Sequence, residues 1–126
     1  MNQRRRRVVD ETRPIFVQIA EGIENDILAG VLAEETQVPS TNEFATYYRI
    51  NPATAGKGVN LLVDAGILYK KRGIGMFVAE GARNRLTEAR RETFQSEFVR
   101  PLVAEAAKLG ISSSQLTDMI RKEGAS

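Results

Sequence analysis

Two groups of residues in this chain carry side chains suited to a polyanion. The first is Asn51, Ala53, Thr54 and Lys57, spaced to share the opening turns of one helix. The amide, hydroxyl and ammonium groups of Asn51, Thr54 and Lys57 can hydrogen-bond to base edges, and the Ala53 methyl can make only an apolar contact. The second is Lys70, Lys71 and Arg72, followed by Gly73-Ile74-Gly75. Three cations there stand beside a Gly-x-Gly tip small enough to approach a duplex closely. A further cationic run, Arg4, Arg5, Arg6 and Arg7, suits either phosphate contact by an unstructured arm or a solvated tail.

Most catalytic chemistry is excluded. The 126 residues include no Cys and no His. Without Cys there are no disulfides, no thiolate nucleophile and no Cys-held zinc or iron–sulfur centre. Without His, the commonest general base and transition-metal ligand is missing, and no Ser-His-Asp triad can form. There is no convergent carboxylate pair or phosphate-binding loop, and a lone Gly-x-Gly is too weak a signal for a nucleotide. The expectation is therefore no enzyme, no metal and no cofactor. Apolar residues make up 42%, enough for a folded core. No run of apolar residues is long enough to span a bilayer. The basic N-terminus lacks the apolar stretch of a secretory signal, so a cytoplasmic location is expected.

The net charge of +2 is unevenly placed. Residues 1–13 carry +3, residues 14–81 carry −3 and residues 82–126 carry +2. Three of the five cations in the acidic middle are consecutive, Lys70, Lys71 and Arg72. That is a directed patch, not a generally adhesive surface.

The elements that position these groups follow from periodicity and punctuation. Residues 1–13 read as a flexible basic arm. Residues 14–30 read as an amphipathic helix, with Pro14 in its first turn, an apolar stripe of Phe16, Ile19, Ala20, Ile23 and Ile27, and Gly30 just past its end. Residues 31–39 read as a turn with a short strand. Ser40-Thr41-Asn42-Glu43 is a capping box opening a short second helix, which turns Phe44, Ala45 and Tyr48 inward and yields at Arg49-Ile50. Asn51 as N-cap and Pro52 at the first position open a third helix, reaching Gly66. Ala55, Val59, Leu62 and Val63 share its inner face; Ala53, Lys57, Asn60 and Asp64 lie opposite. Gly56 and Gly58 inside it each cost about 1 kcal/mol against Ala, so a packing reason is expected. Residues 67–71 and 76–79 read as two strands joined through the glycine tip. Residues 83–109 are helical, with a kink or break near residues 97–101 caused by Pro101. Ser112 with Gln115 caps a last helix, to about residue 122.

Helix, short helix, helix, hairpin is the order of a helix-turn-helix followed by a wing. The predicted fold class is mainly α (α+β): a winged helix-turn-helix over residues 14–80, then a two-helix C-terminal segment over residues 81–126. Phe94, Phe98, Leu102, Ala106 and Leu109 form one stripe of that segment, with Leu116, Met119 and Ile120 apolar in the last helix. Two helices are too few to enclose a core of their own, and a symmetric homodimer supplies the missing partner.

These stretches resemble the GntR family of bacterial transcription regulators. The matching segments are PIFVQIAEGIENDILAG, VPSTNEFA, NPATAGKGVNLLVDAGIL and RGIGMFV. The Asn-Pro-x-Thr start of the third helix, with Lys57 three residues after Thr54, is more specifically similar to the YtrA subfamily. FVRPLVAEAAKLGISSSQL resembles that subfamily's short dimerisation segment. The resemblance implies sequence-specific binding of double-stranded DNA as a dimer, usually in repression. It puts Ser40, Thr41 and Asn42 in the family's contact turn and Asn51, Ala53, Thr54 and Lys57 in its recognition helix. Lys70, Lys71 and Arg72 flank the wing, whose tip is Gly73, Ile74 and Gly75, and Arg7 in the arm is a further candidate contact. The wider family often has Arg where Asn42 and Pro52 stand, and the subfamily often has Asn where Ala53 stands. Base reading is thereby shifted toward Asn51, Thr54 and Lys57. The apolar Ile74, where relatives are often polar, points to shape readout.

Each assignment has a plainer counterpart. Lys70 and Lys71 are also what a solvated strand carries, and Thr54 also suits a helix end. A winged helix on an acidic body can serve as a protein-interaction module. A small-molecule effector of unknown identity, held in a dimer cavity, is compatible with DNA binding.

Overall fold

The computed structural model describes residues 11–125. Its elements are α1 (Ile15–Leu28), α2 (Thr41–Tyr48), α3 (Pro52–Asp64), β1 (Leu68–Lys71), β2 (Gly75–Val78), α4 (Ala82–Phe94), a π-helical stretch (Gln95–Val99), α5 (Arg100–Lys108) and α6 (Ser113–Ala125). The described residues divide into two compact units, residues 11–87 and 88–125.

In the first unit, three helices close on one core. Ile19, Ala20, Ile23 and Ile27 of α1 meet Ala55, Val59 and Leu62 of α3, Ala45 of α2 and Leu68 and Val78 of the hairpin, all buried. Full burial of an Ile or Leu side chain stabilises by about 1.5–3 kcal/mol. The apolar stripes read from periodicity are therefore the ones that pack. Gly58 explains how closely α1 and α3 approach: a Cβ there would lie 2.6 Å from the Phe16 carbonyl oxygen and 3.2 Å from the Ile19 side chain. At Gly56 a Cβ would make only an ordinary contact with Thr41, 3.7 Å away, and nothing in the structure explains that glycine.

The helix ends repeat one device. After α1, the Gly30 and Val31 amides donate back to the Ile27 and Asp26 carbonyls, with Gly30 at φ +83°. After α3, Gly66 and Ile67 do the same to Val63 and Leu62, with Gly66 at φ +76°. These are Schellman closures, which favour a residue without a Cβ. The turn between α2 and α3 uses the same bonds but places Arg49 in the left-handed region, at φ +59°. Pro14 is the N-cap of α1 and not a residue of its first turn.

The hairpin pairs Leu68 with Val78, Tyr69 with Phe77, Lys70 with Met76 and Lys71 with Gly75. The short strand expected within residues 31–39 is reduced to one bridge, Gln37 with Phe77. Around it the Glu35 and Val38 amides donate to the Val78 and Met76 carbonyls at 2.8 and 2.9 Å. This segment borders the open edge of β2. The chain is also tied to α1 earlier than the arm boundary suggests. Arg13 donates to Glu21 at 2.7 Å, and the Arg13 carbonyl accepts from Gln18 at 3.0 Å.

In the second unit, the break expected at Pro101 takes the form of the π-helical stretch, closed by the Arg100 amide donating to the Gln95 carbonyl. Proline lacks an amide hydrogen and its ring crowds the carbonyl four residues back. A wider turn just before it relieves both. At its end, Gly110 takes φ +71°, and Ser112 and Gln115 form the expected capping box ahead of α6, at 2.8 and 3.1 Å.

Candidate nucleic-acid interface

The first turns of α3 present the candidate reading groups. Asn51 caps the helix: its Oδ1 accepts from the Ala53 amide at 2.7 Å. The cap engages one lone pair of that oxygen, and the side-chain NH2 donors remain for a contact to a base edge. Because Asn51 makes the cap, the Thr54 hydroxyl is not required for it. Ala53 and Lys57 are exposed and Thr54 is half-buried. The Lys57 ammonium lies over the Phe16 ring, 4.6 Å from its centre, within range of a cation–π attraction.

At the start of α2, the Ser40 hydroxyl accepts from the Glu43 amide at 3.1 Å, and the Ser40 amide donates to the Glu43 carboxylate at 2.7 Å. Ser40 is thus a structural cap whose hydroxyl oxygen accepts and whose proton can still donate. Asn42 is exposed, and Thr41 stands against α3 at Gly56. The free amides of the two helix N-termini favour anions.

The wing is built on aromatic and amide supports absent from the sequence reading. Lys70, Lys71, Arg72 and Gly73 are exposed, and Ile74 at the tip is 63% exposed. The Lys71 ammonium lies 4.3 Å from the centre of the Phe77 ring on the facing strand. Gln37 donates to the Ile74 carbonyl at 3.1 Å and lies where a Cβ on Gly75 would fall. Gly75 has φ +149° and Gly73 φ +77°, so the tip needs glycine at both positions. Gln37 could not be found from spacing, because the contact spans 37 residues. Tyr69 beneath the wing donates to Glu35 at 2.6 Å, which raises its hydroxyl above the ordinary tyrosine value.

The wing's exit is clamped by Glu34. Its carboxylate accepts from the Gly81 amide at 2.9 Å and the Arg83 amide at 3.2 Å, at the N-terminus of α4. These backbone donors, with smaller contributions from the Arg85 and Arg83 charges, hold its carboxyl below the usual glutamate range. A groove of about 350 Å³ lies between α1 and α2, lined by Ile23, Asp26, Phe44, Tyr47 and Tyr48 among others.

The C-terminal residues expected at a subunit contact divide into two sets. Phe94 and Phe98 are 56% and 62% exposed with their rings 5.7 Å apart, and Leu102, Leu109, Met119 and Ile120 are exposed too. Leu116 is half-buried, and Ala106 is buried, only 6% exposed. Ala106 is therefore the least accessible member of the stripe. The turn after it folds back, with the Leu109 and Ile111 amides donating to the Ala106 carbonyl. Arg7 lies outside the described residues. Among the described residues no group of acidic side chains could hold a metal ion, and no helix is long and apolar enough to cross a membrane.

Comparison with known proteins accounts for this arrangement. The family described as "Bacterial regulatory proteins, gntR family" matches residues 16–78. The transcriptional repressor YtrA of Bacillus subtilis is 30% identical over 89% of this chain and 85% of its own. A crystal structure of a GntR-family regulator from Bacteroides thetaiotaomicron is 36% identical, with a TM-score of 0.66 over 86% of this chain and 94% of its own. The DNA-binding domain of AraR, solved in complex with an operator, is 30% identical, with a TM-score of 0.52 over 56% of this chain and 87% of its own.

Proposed function

The chain belongs to the GntR family of bacterial regulatory proteins, a family of transcription regulators and not of enzymes, and from that premise we propose that it represses transcription as a homodimer on an inverted-repeat operator. In this reading, α3 lies in the major groove and the wing tip reaches the adjacent minor groove. The supporting observation is the start of α3, with Lys57 exposed and Thr54 half-buried, and the exposed cations of the wing, all carried on one buried core. Lys57 and the outward donors of Asn51 read bases; Lys70, Lys71 and Arg72 hold phosphates and set affinity. Ile74 meets the minor groove through shape. The exposed Phe94, Phe98, Leu102, Met119 and Ile120 supply the subunit contact, and the protein acts in the cytoplasm.

Selection of bound duplexes from a random library tests this, followed by a salt titration of the winner. The expected product is an inverted repeat with half-sites about 34–36 Å apart, with affinity falling steeply with salt. Recovery of no sequence above background would favour a protein-interaction module instead. An effector that shifts the dimer would show in the same assay as a small molecule that changes operator affinity.

A further inference from the structure

Among the candidate readers of α3, Lys57 is the one directed by a second element. Its ammonium lies 4.6 Å from the centre of the Phe16 ring. Phe16 stands in the first turn of α1 and is half-buried. Its own carbonyl occupies the space left by Gly58, at 2.6 Å from where a Cβ would be. The backbone of Phe16 is thus set against α3 at the residue next to Lys57. The ring therefore springs from a backbone held close against α3.

We propose that Phe16 is a positioning residue for DNA recognition: its ring confines the Lys57 side chain to one sector of the exposed face of α3. The proposal rests on α3 being the reading helix. A lysine is a compact charge on a flexible four-carbon stem, and ordering such a side chain opposes binding. A ring that already holds the ammonium on one side of the helix lowers that ordering cost for the contacts lying in its sector and not for others. The consequence is selectivity, not general affinity. The attraction is weak enough for the ammonium to exchange the ring for a base edge or phosphate. The phosphate-facing Lys71 rests on Phe77 in the same manner, but there a restrained charge affects every duplex alike.

The test compares the wild type with Phe16→Leu, Phe16→Tyr, Lys57→Ala and the Phe16→Leu/Lys57→Ala double variant. Two quantities are read: the affinity ratio of the selected duplex to random duplex, and the ring-current shift of the Lys57 ε-methylene by NMR without DNA. Phe16→Leu is expected to abolish the shift and lower the ratio about two- to fivefold. Phe16→Tyr keeps the π face and retains both. Phe16→Leu adds nothing once Lys57 is Ala, because coupled residues are not additive. An unchanged ratio in Phe16→Leu, equal losses on both duplexes, or additive losses in the double variant would overturn the proposal while leaving α3 as the reader. A wild-type protein that prefers no duplex would remove the reading role of α3 and this proposal with it.

Discussion

Residues 11–87 and residues 88–125 solve the burial problem differently. In the first unit, fourteen apolar residues are buried in one cluster drawn from helices and hairpin; this is a core that stabilises itself. In the second, Ala106 alone is buried among the described residues, and Phe98, Leu102, Val103, Leu109, Met119 and Ile120 are all at least 43% exposed. In the proposed homodimer these exposed apolar side chains are the ones a second copy covers. The difference teaches that helices of one chain can bury their apolar side chains in one region and leave them exposed in another.

The largest expected effect breaks the self-sufficient unit. Ile19 is fully buried, so Ile19→Ala should cost about 2–5 kcal/mol. Urea titration of the variant should show that loss at every protein concentration. A loss that vanished at high concentration would mean the first unit also depends on association. In the second unit, Phe98→Ser should weaken self-association about tenfold or more, seen by sedimentation, while the melting of the first unit stays unchanged. Unaltered sedimentation would remove Phe98 from the subunit contact.

Gly58→Ala sharpens the comparison at smaller scale. The added methyl must displace the Phe16 carbonyl or the Ile19 side chain, at a cost of about 1–3 kcal/mol by overpacking. Gly124 in α6 has open space around its missing Cβ, so Gly124→Ala should be neutral or stabilising by thermal melting. Equal behaviour of the two would contradict the packing described. The smallest effect concerns Glu34, whose carboxyl titrates below its ordinary value. The stability it contributes is therefore fully present above about pH 4.3, the unfolded glutamate value, and is lost as pH falls through the lower folded value. The melting temperatures of wild type and Glu34→Gln should differ at pH 7 and converge as acid is added. A constant gap would mean the clamp does not depend on charge.

Local rules made most of the fold legible. Both capping boxes, the Asn51-Pro52 helix start, the glycine that ends α1 and the apolar stripes depend on residues a few positions apart, and their physics is written in that spacing. Pro101 likewise foretold a break, because a missing amide is a local fact, although its π-helical form was not foretold. The expected strand within residues 31–39 shrank to a bridge because its pairing depends on which edge of the hairpin it meets. Ala106 lies deeper than the rest of its stripe, because periodicity gives the side a residue faces and not its depth.

The sequence by itself determined the class of fold, the absence of Cys and His chemistry, the exposed start of α3 and the cations of the wing. Only the tertiary structure decided that Gly58 admits the Phe16 backbone, that Phe16 and Phe77 carry the ammonium groups of Lys57 and Lys71, that Gln37 supports the wing tip and that Glu34 clamps α4. Phe16 and Lys57, Gln37 and Ile74, and Glu34 and Gly81 are each far apart in the chain. Their meeting depends on how helices and hairpin close around a shared core, a property of three-dimensional packing that no local spacing encodes.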